Sequence, residues 1–140
     1  MKKRQYLLVD DDLTSNLISE LLIRKVDPEA KILSYNIPEE ALADVENICV
    51  PEETACILFL DVNMPTMTGW DFLDVFEEIC PAIQSLITVY ILTSSIEDFT
   101  KEKKKYPGVK GFISKPLMRE KLEMIIQEVS CENISEKVDF

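Results

Sequence analysis

The chain has 140 residues, 46% apolar and 29% charged, the make-up of one globular domain with a core of its own. Its 26 acidic and 15 basic residues give a net charge of −11, which argues against direct nucleic-acid binding and docking on anionic lipid, since both need a basic face. Histidine is absent and the four cysteines, Cys49, Cys56, Cys80 and Cys131, show no C-x-x-C spacing, so a zinc site and Ser-His-Asp or Cys-His catalysis within the chain are excluded as well.

In chain order, "MKKRQYLLVDDD" starts basic but is too short in apolar residues for a signal peptide, and no run reaches membrane-spanning length. A reduced, cytoplasmic protein is expected, with Cys56 in the core. "YLLVDDD" reads as a strand buried on both faces and ended by acids. "DLTSNLISELLIRKV" reads as a helix in which Leu17, Leu21 and the Ile18/Leu22 pair recur at helical spacing, with Thr14 or Ser15 offering an N-cap. "KILSYN" is a second strand, and Pro38 suits the first turn of a helix through "EEALADVENI". After the "VPEET" loop, "CILFLD" is a third strand that runs apolar residues straight into Asp61. The "MPTMTG" loop leads to "WDFLDVFEEI", a helix with Phe72, Val75, Phe76 and Ile79 on one side. "LITVYILTSS" is a fourth strand ending in hydroxyls, and "IEDFTKEKKKY" a polar, exposed helix. "VKGFISK" is a fifth strand, followed by Pro116. "MREKLEMIIQEVS" is a last helix with Leu122, Ile125, Ile126 and Val129 facing inward, and 131–140 is expected to be a frayed tail after a domain of residues 1–130.

Regular alternation of buried strands with helices means an α/β fold, a parallel sheet covered on both faces. In such open sheets the site lies beyond the carboxyl ends of the strands. Those ends carry Asp10, Asp11 and Asp12 on strand one, Asp61 with Asn63 on strand three, Thr93, Ser94 and Ser95 on strand four, and Lys115 on strand five. With the strands in the order 2-1-3-4-5, Asp10, Asp11 and Asp61 converge. Asp12 is the exception, read as the cap of the next helix. Converging carboxylates repel, and the remedies are a hard divalent cation and a lysine. Mg2+ and Lys115, with the Thr93 hydroxyl, around an open Asp61 suit phosphoryl transfer to a carboxylate nucleophile.

These segments resemble the receiver domain of two-component response regulators over about residues 4–130. "LLVDDDLTSNL" is similar to the family's first strand and acidic pair, and "FLDVNMPTMTGWDFL" to its phosphorylation segment. "ILTSS" is similar to its switch-threonine strand and "GFISKP" to its lysine segment. The resemblance implies a flavodoxin-like doubly wound fold, five parallel strands in the order 2-1-3-4-5 with five helices. It implies Asp61 as phosphoacceptor, and Asp10, Asp11, Asp61 and the backbone carbonyl of Asn63 as the Mg2+ site. It further implies Thr93 and Lys115 as groups that meet the phosphoryl group, Phe112 as the aromatic switch, and a Lys115–Pro116 bond that is often cis. Thr68 and Ser94 depart from the commonest residues of the family, and Asn63 and Ser95 match positions that tune dephosphorylation.

The function implied is that of a stand-alone, chemotaxis-regulator-like response regulator in a two-component pathway or phosphorelay. A histidine kinase or histidine phosphotransfer protein is the expected donor, and a downstream protein the expected target. The protein is expected to catalyse its own phosphorylation and dephosphorylation and not to be an enzyme with a separate substrate. The alternative is a receiver-like binding module that works without phosphorylation. An aspartate-nucleophile phosphatase would need D-x-D where this chain has Asp61 and Asn63, and an electron carrier of the flavodoxin kind would need a phosphate loop after strand one. The five lysines of 101–110 form a basic patch on an acidic chain, read chiefly as a solvated helix face, with an acidic partner as the sharper alternative.

Overall fold

The computed structural model describes residues 3–45, 47, 54–79, 85–94 and 99–138, the last helix by its backbone alone from residue 130 onward. Five strands, β1 (Lys3–Val9), β2 (Lys31–Tyr35), β3 (Thr54–Leu60), β4 (Ile87–Thr93) and β5 (Val109–Ser114), alternate with helices. The helices are α1 (Leu13–Val26), α2 (Pro38–Val45), α3 (Gly69–Glu78), α4 (Thr100–Lys105) and α5 (Arg119–Val138). All strand pairs are parallel and the sheet order is β2-β1-β3-β4-β5.

Side chains alternate across the sheet with the period of two that strands impose. Leu7, Val9, Leu58, Leu60, Val89 and Ile91 face α2 and α3, meeting Ala41, Leu42, Val45, Phe72, Leu73 and Phe76. Tyr6, Leu8, Ile57, Phe59, Tyr90 and Leu92 face the other way, onto Ile23 of α1 and Leu122, Ile125 and Val129 of α5. The central strands are therefore apolar throughout because both faces are covered, as the runs in the sequence predict. At the end of the sheet opposite the strand-end carboxylates, Arg4 and Tyr6 both bond Asp27. The Arg4 Nη2 contact is 3.2 Å and the Tyr6 hydroxyl contact 3.1 Å. That triad joins β1 to the end of α1, whose last turn closes with Asp27 N–H on the Ile23 carbonyl at 2.7 Å.

Four local expectations change. Thr14 and Ser15 do not cap α1; their backbone N–H groups donate to the Asp12 carboxylate at 2.9 and 3.3 Å, so Asp12 is the cap, as its own reading expects. The Leu17/Leu21 stripe is not buried: α1 turns Asn16, Ser19 and Ile23 to the sheet, and leaves Leu13, Leu17 and Leu21 exposed at 67%, 54% and 58%. The reason is that Asn16 is held by strand-end carbonyls, and that bond sets the rotation of the helix. On α3, Leu73 takes the inward place expected for Val75, which is exposed. The last helix runs on to Val138, beyond the boundary at 130 where the tail was expected to begin. Cys49 and Cys80 lie outside the described residues, while Cys56 is buried as a free thiol pushed up to about 12 by burial.

These burials predict opposite outcomes for two residues on one helix. Ile23→Ala should cost about 2–5 kcal/mol, because it opens a cavity between α1 and the sheet. Leu17→Ala should stay within about 0.5 kcal/mol, as a surface change does. Urea denaturation midpoints measure both; a Leu17→Ala loss as large as that of Ile23→Ala would contradict the placement of α1.

Candidate functional site

The β1–β3 register pairs Val9 with Leu60, so the next residues out, Asp10 and Asp61, are neighbours past the sheet edge. The ladder continues to hold their backbones: Asp61 N–H donates to Val9 O at 2.9 Å and Asp10 N–H to Tyr35 O at 3.0 Å. Asn16 reaches back from α1 and donates to Asp10 O at 2.9 Å and Tyr35 O at 3.0 Å. On the other side, β4 pairs Thr93 with Ser114, and Lys115 N–H donates to Thr93 O at 2.9 Å. Parallel pairing thus sets the level of every functional side chain.

Asp10 and Asp61 are buried, and Asp11 beside them is partly exposed. One oxygen from each of the three lies within 4.8 Å of the others. The Lys115 ammonium enters the group, 2.5 Å from Asp10 Oδ2 and 3.5 Å from Asp61 Oδ1. Asp10 Oδ1 accepts the Asp12 N–H at 3.0 Å, whereas Oδ2 is buried with no hydrogen-bond donor in acceptable geometry and meets only that ammonium. Burial pushes the Asp61 carboxyl up, the Asp10 charge adds to this and Lys115 opposes it, leaving a pKa of about 6. Burial works to lower the Lys115 ammonium, and the Asp10 and Asp61 carboxylates more than reverse that, so it lies above an ordinary lysine. Three carboxylates and one lysine leave a net negative pocket made only of oxygen donors. That donor set, with a buried carboxylate oxygen short of partners, fits a hard divalent cation that keeps some of its waters.

The structure therefore brings Asp10, Asp11, Asp61 and Lys115 together. Thr93 stands buried at the end of β4, while Asn63 is exposed on the loop after Asp61. Phe112 lies elsewhere. It is half-buried, stacked on Phe99 at 5.2 Å between centroids and tilted against Trp70 at 6.4 Å. The Lys115–Pro116 bond is cis. Thr68 caps α3, its hydroxyl taking the Asp71 N–H at 3.1 Å while the Asp71 carboxylate takes the Thr68 N–H at 3.2 Å. Ser94 is exposed, and Ser95 lies outside the described residues.

Two contributors take a role here that the sequence reading does not give them. Asn16 is one; a polar residue amid the apolar positions of α1 is its only trace. Gly69 is the other: a Cβ there would sit 2.6 Å from the Asp61 carbonyl oxygen and 3.0 Å from the Val62 Cα. Its N–H donates to Val62 O at 2.8 Å, so the loop after Asp61 folds back onto the phosphoacceptor candidate's own backbone. Only glycine permits that approach.

A doubly wound α/β domain with an acid–lysine pocket at its strand ends is the class that fold and site define. Residues 6–127 match the family described as the response regulator receiver domain, and the chain belongs to that family. Comparison with curated proteins finds no match. Among solved structures, a two component response regulator from Cytophaga hutchinsonii is 24% identical, with a TM-score of 0.77 over 92% of this chain and 98% of that one. A response regulator receiver protein from Dyadobacter fermentans is 16% identical with a TM-score of 0.80 over 90% and 97%. The chemotaxis protein CheY4 of Vibrio cholerae is 24% identical with a TM-score of 0.72 over 91% and 98%. At these identities the likeness is one of fold, and it agrees with the flavodoxin-like order of strands. Among the described residues no helix is long and apolar enough to cross a membrane.

Folding favours the protonated form of Asp61, because its folded pKa lies above the unfolded one. The stability this contributes is complete below about pH 4 and is lost as pH rises through about 6. In metal-free buffer, Asp61→Asn should therefore stabilise the protein by about 1–3 kcal/mol at pH 7.5, the gain fading to nothing near pH 4. Denaturation curves across that range check the sign; a gain independent of pH would contradict it. Gly69→Ala should cost about 1–3 kcal/mol by overpacking against the Asp61 carbonyl. The same curves, run beside Gly108→Ala, where a Cβ meets open space, separate that contact from general loss of a glycine.

Proposed function

We propose that this receiver domain is a phosphorylation switch with Asp61 as its phosphoacceptor. The observation that carries the reading is the Asp10–Asp11–Asp61 cluster with the Lys115 ammonium inside it. A carboxylate nucleophile near others needs its charge managed, and phosphoryl transfer is mainly positioning and charge neutralisation. Asp10, Asp11, Asp61 and the Asn63 backbone carbonyl are the residues that would hold Mg2+. Bound there, the ion would supply positive charge against the carboxylates and the phosphoryl oxygens and would favour an ionised Asp61.

The donor is a histidine kinase or a histidine phosphotransfer protein. An Asp61 carboxylate oxygen attacks the phosphorus of its phosphohistidine. The new O–P bond forms as the P–N bond breaks, and the imidazole nitrogen leaves with the electron pair. Lys115 pairs with the phosphoryl oxygens and the Thr93 hydroxyl donates to one of them. In dephosphorylation water attacks phosphorus, the Asp61 O–P bond breaks, inorganic phosphate leaves and the Asp61 carboxylate is regenerated. The domain thus catalyses its own phosphorylation and dephosphorylation and has no separate turnover substrate. The apolar stripe of Leu13, Leu17 and Leu21 begins next to Asp12, at the rim of the pocket, and suits a helical donor laid along α1.

Drawing Thr93 toward the phosphoryl group frees space that Phe112 fills, and the two conformations bind a downstream protein differently. In this reading the protein works in the cytoplasm within a two-component or phosphorelay pathway.

Incubation with acetyl phosphate and Mg2+, followed by intact mass measurement, tests the reading. Wild type should gain one phosphoryl group, lost again on standing. Asp61→Asn should gain none, and neither should wild type in EDTA. No gain by wild type, or an equal gain by Asp61→Asn, sinks the proposal. A target that binds equally to wild type and Asp61→Asn would favour the phosphorylation-independent module instead.

A further inference from the structure

Asn16 is buried near the start of α1, on the face that also turns Ser19 and Ile23 to the sheet. Its Nδ2 donates to two backbone carbonyls, Asp10 O at 2.9 Å and Tyr35 O at 3.0 Å. Both neighbours are acceptors, so only the NH2 side of the amide fits there, and both of its hydrogens are used. The two carbonyls stand at the ends of β1 and β2, and one of them belongs to a residue of the acid pocket.

The β1–β2 register ends with Val9 on Tyr35, so Asp10 lies past the last ladder pair. Its N–H still reaches Tyr35 O at 3.0 Å, and its C=O is taken by Asn16. The peptide groups on both sides of the Asp10 Cα are thereby held. The Asn16 bond also closes the segment 10–16 on itself, and that segment carries Asp11 and the helix cap Asp12. Within it Asp10 Oδ1 accepts the Asp12 N–H at 3.0 Å, which leaves Oδ2 facing the Lys115 ammonium. Asp61 is held in another way, by its N–H on Val9 O and by Gly69 packed against its carbonyl. Buried carboxylates set side by side repel, and a loose Asp10 would relieve the repulsion by turning away from Asp61. With its N–H and C=O both bonded, Asp10 cannot turn.

We propose that Asn16 is a positioning residue for the acid pocket. Through the Asp10 carbonyl it holds the segment 10–12, so that the Asp10 and Asp11 carboxylates stand beside Asp61 before any cation binds. Groups placed behind a metal ligand fix its orientation, and their loss weakens metal binding by about 10–100-fold. The part of this inference that concerns Mg2+ rests on the reading of the pocket given above; the part that concerns Asp10 does not.

The test compares Asn16→Ala with Ile23→Ala, which loosens the same helix without touching the clamp, in the unphosphorylated full chain. Asn16→Ala leaves room for water at the two carbonyls, so the chain should fold; if it does not, Asn16→Ser, which keeps one donor, is judged by the same criteria. Amide hydrogen exchange followed by NMR in metal-free buffer reads the clamp itself. Exchange of the Asp10 N–H should quicken by about tenfold or more relative to the Asp61 N–H in Asn16→Ala, and keep its wild-type ratio in Ile23→Ala. Calorimetric titration with Mg2+ reads the site: the Kd should rise about tenfold or more in Asn16→Ala and stay within about twofold of wild type in Ile23→Ala. An unchanged exchange ratio in Asn16→Ala, an unchanged Mg2+ affinity, or equal changes in Ile23→Ala reduces Asn16 to an anchor of the helix and overturns the proposal. A wild-type chain that binds no Mg2+ refutes the cation reading, and the exchange ratio then decides by itself whether Asn16 holds Asp10.

Discussion

Everything at this site depends on carboxylates forced together by parallel strand pairing. The register that sets Val9 beside Leu60 leaves Asp10 and Asp61 no choice but to share the space beyond the sheet edge. In water two carboxylates would separate, but here their backbones are locked into the ladder and their side chains are buried. The repulsion is offset by Lys115, delivered from a strand two places away through the Thr93–Ser114 pairing. Because one ammonium does not balance three carboxylates, the pocket remains short of positive charge. That deficit is the physical basis for reading it as a place for a cation and a phosphoryl group.

The two ends of the sheet show what the constraint costs. At the far end Asp27 is satisfied completely, by Arg4 and by the Tyr6 hydroxyl, and the triad only ties β1 to α1. At the near end the Asp10 Oδ2 is held only by the Lys115 ammonium, which Asp61 shares, and the Asp61 carboxyl is pushed up. A fold that satisfies a buried aspartate fully at one end leaves two of them sharing one ammonium at the other, and perturbed carboxylates of this kind concentrate where chemistry is done.

A separate aromatic cluster lies on the α3–α4 side of the sheet. Phe112 belongs to β5, Phe99 and Tyr106 flank α4, and Trp70 lies in the first turn of α3, so rings from three elements meet in one cluster. Stacked rings repack in steps and not continuously, which suits a switch with two states. The exposed leucines of α1 lie on the opposite face of the sheet.

The sequence by itself determined the alternation of strands and helices, the doubly wound class, and the residues at the strand ends. Apolar runs mark buried strands because a parallel sheet is covered on both sides, and a polar residue that ends such a run has nowhere to be but the edge. Asp10, Asp11, Asp61, Thr93 and Lys115 were legible for that reason. Only the tertiary structure decided which face a helix buries and which backbones touch. The leucines of α1 obey helical spacing yet face outward, because Asn16 is anchored to the strand-end carbonyls and that bond orients the helix. Gly69 reads in the sequence as a loop-shaping residue, and the close approach that requires it emerges only in the fold, where a Cβ would meet the Asp61 carbonyl. Periodicity reports what a residue's own element demands. Rotation of a helix and close approach of a loop are set by partners distant in the chain, and no local pattern carries them.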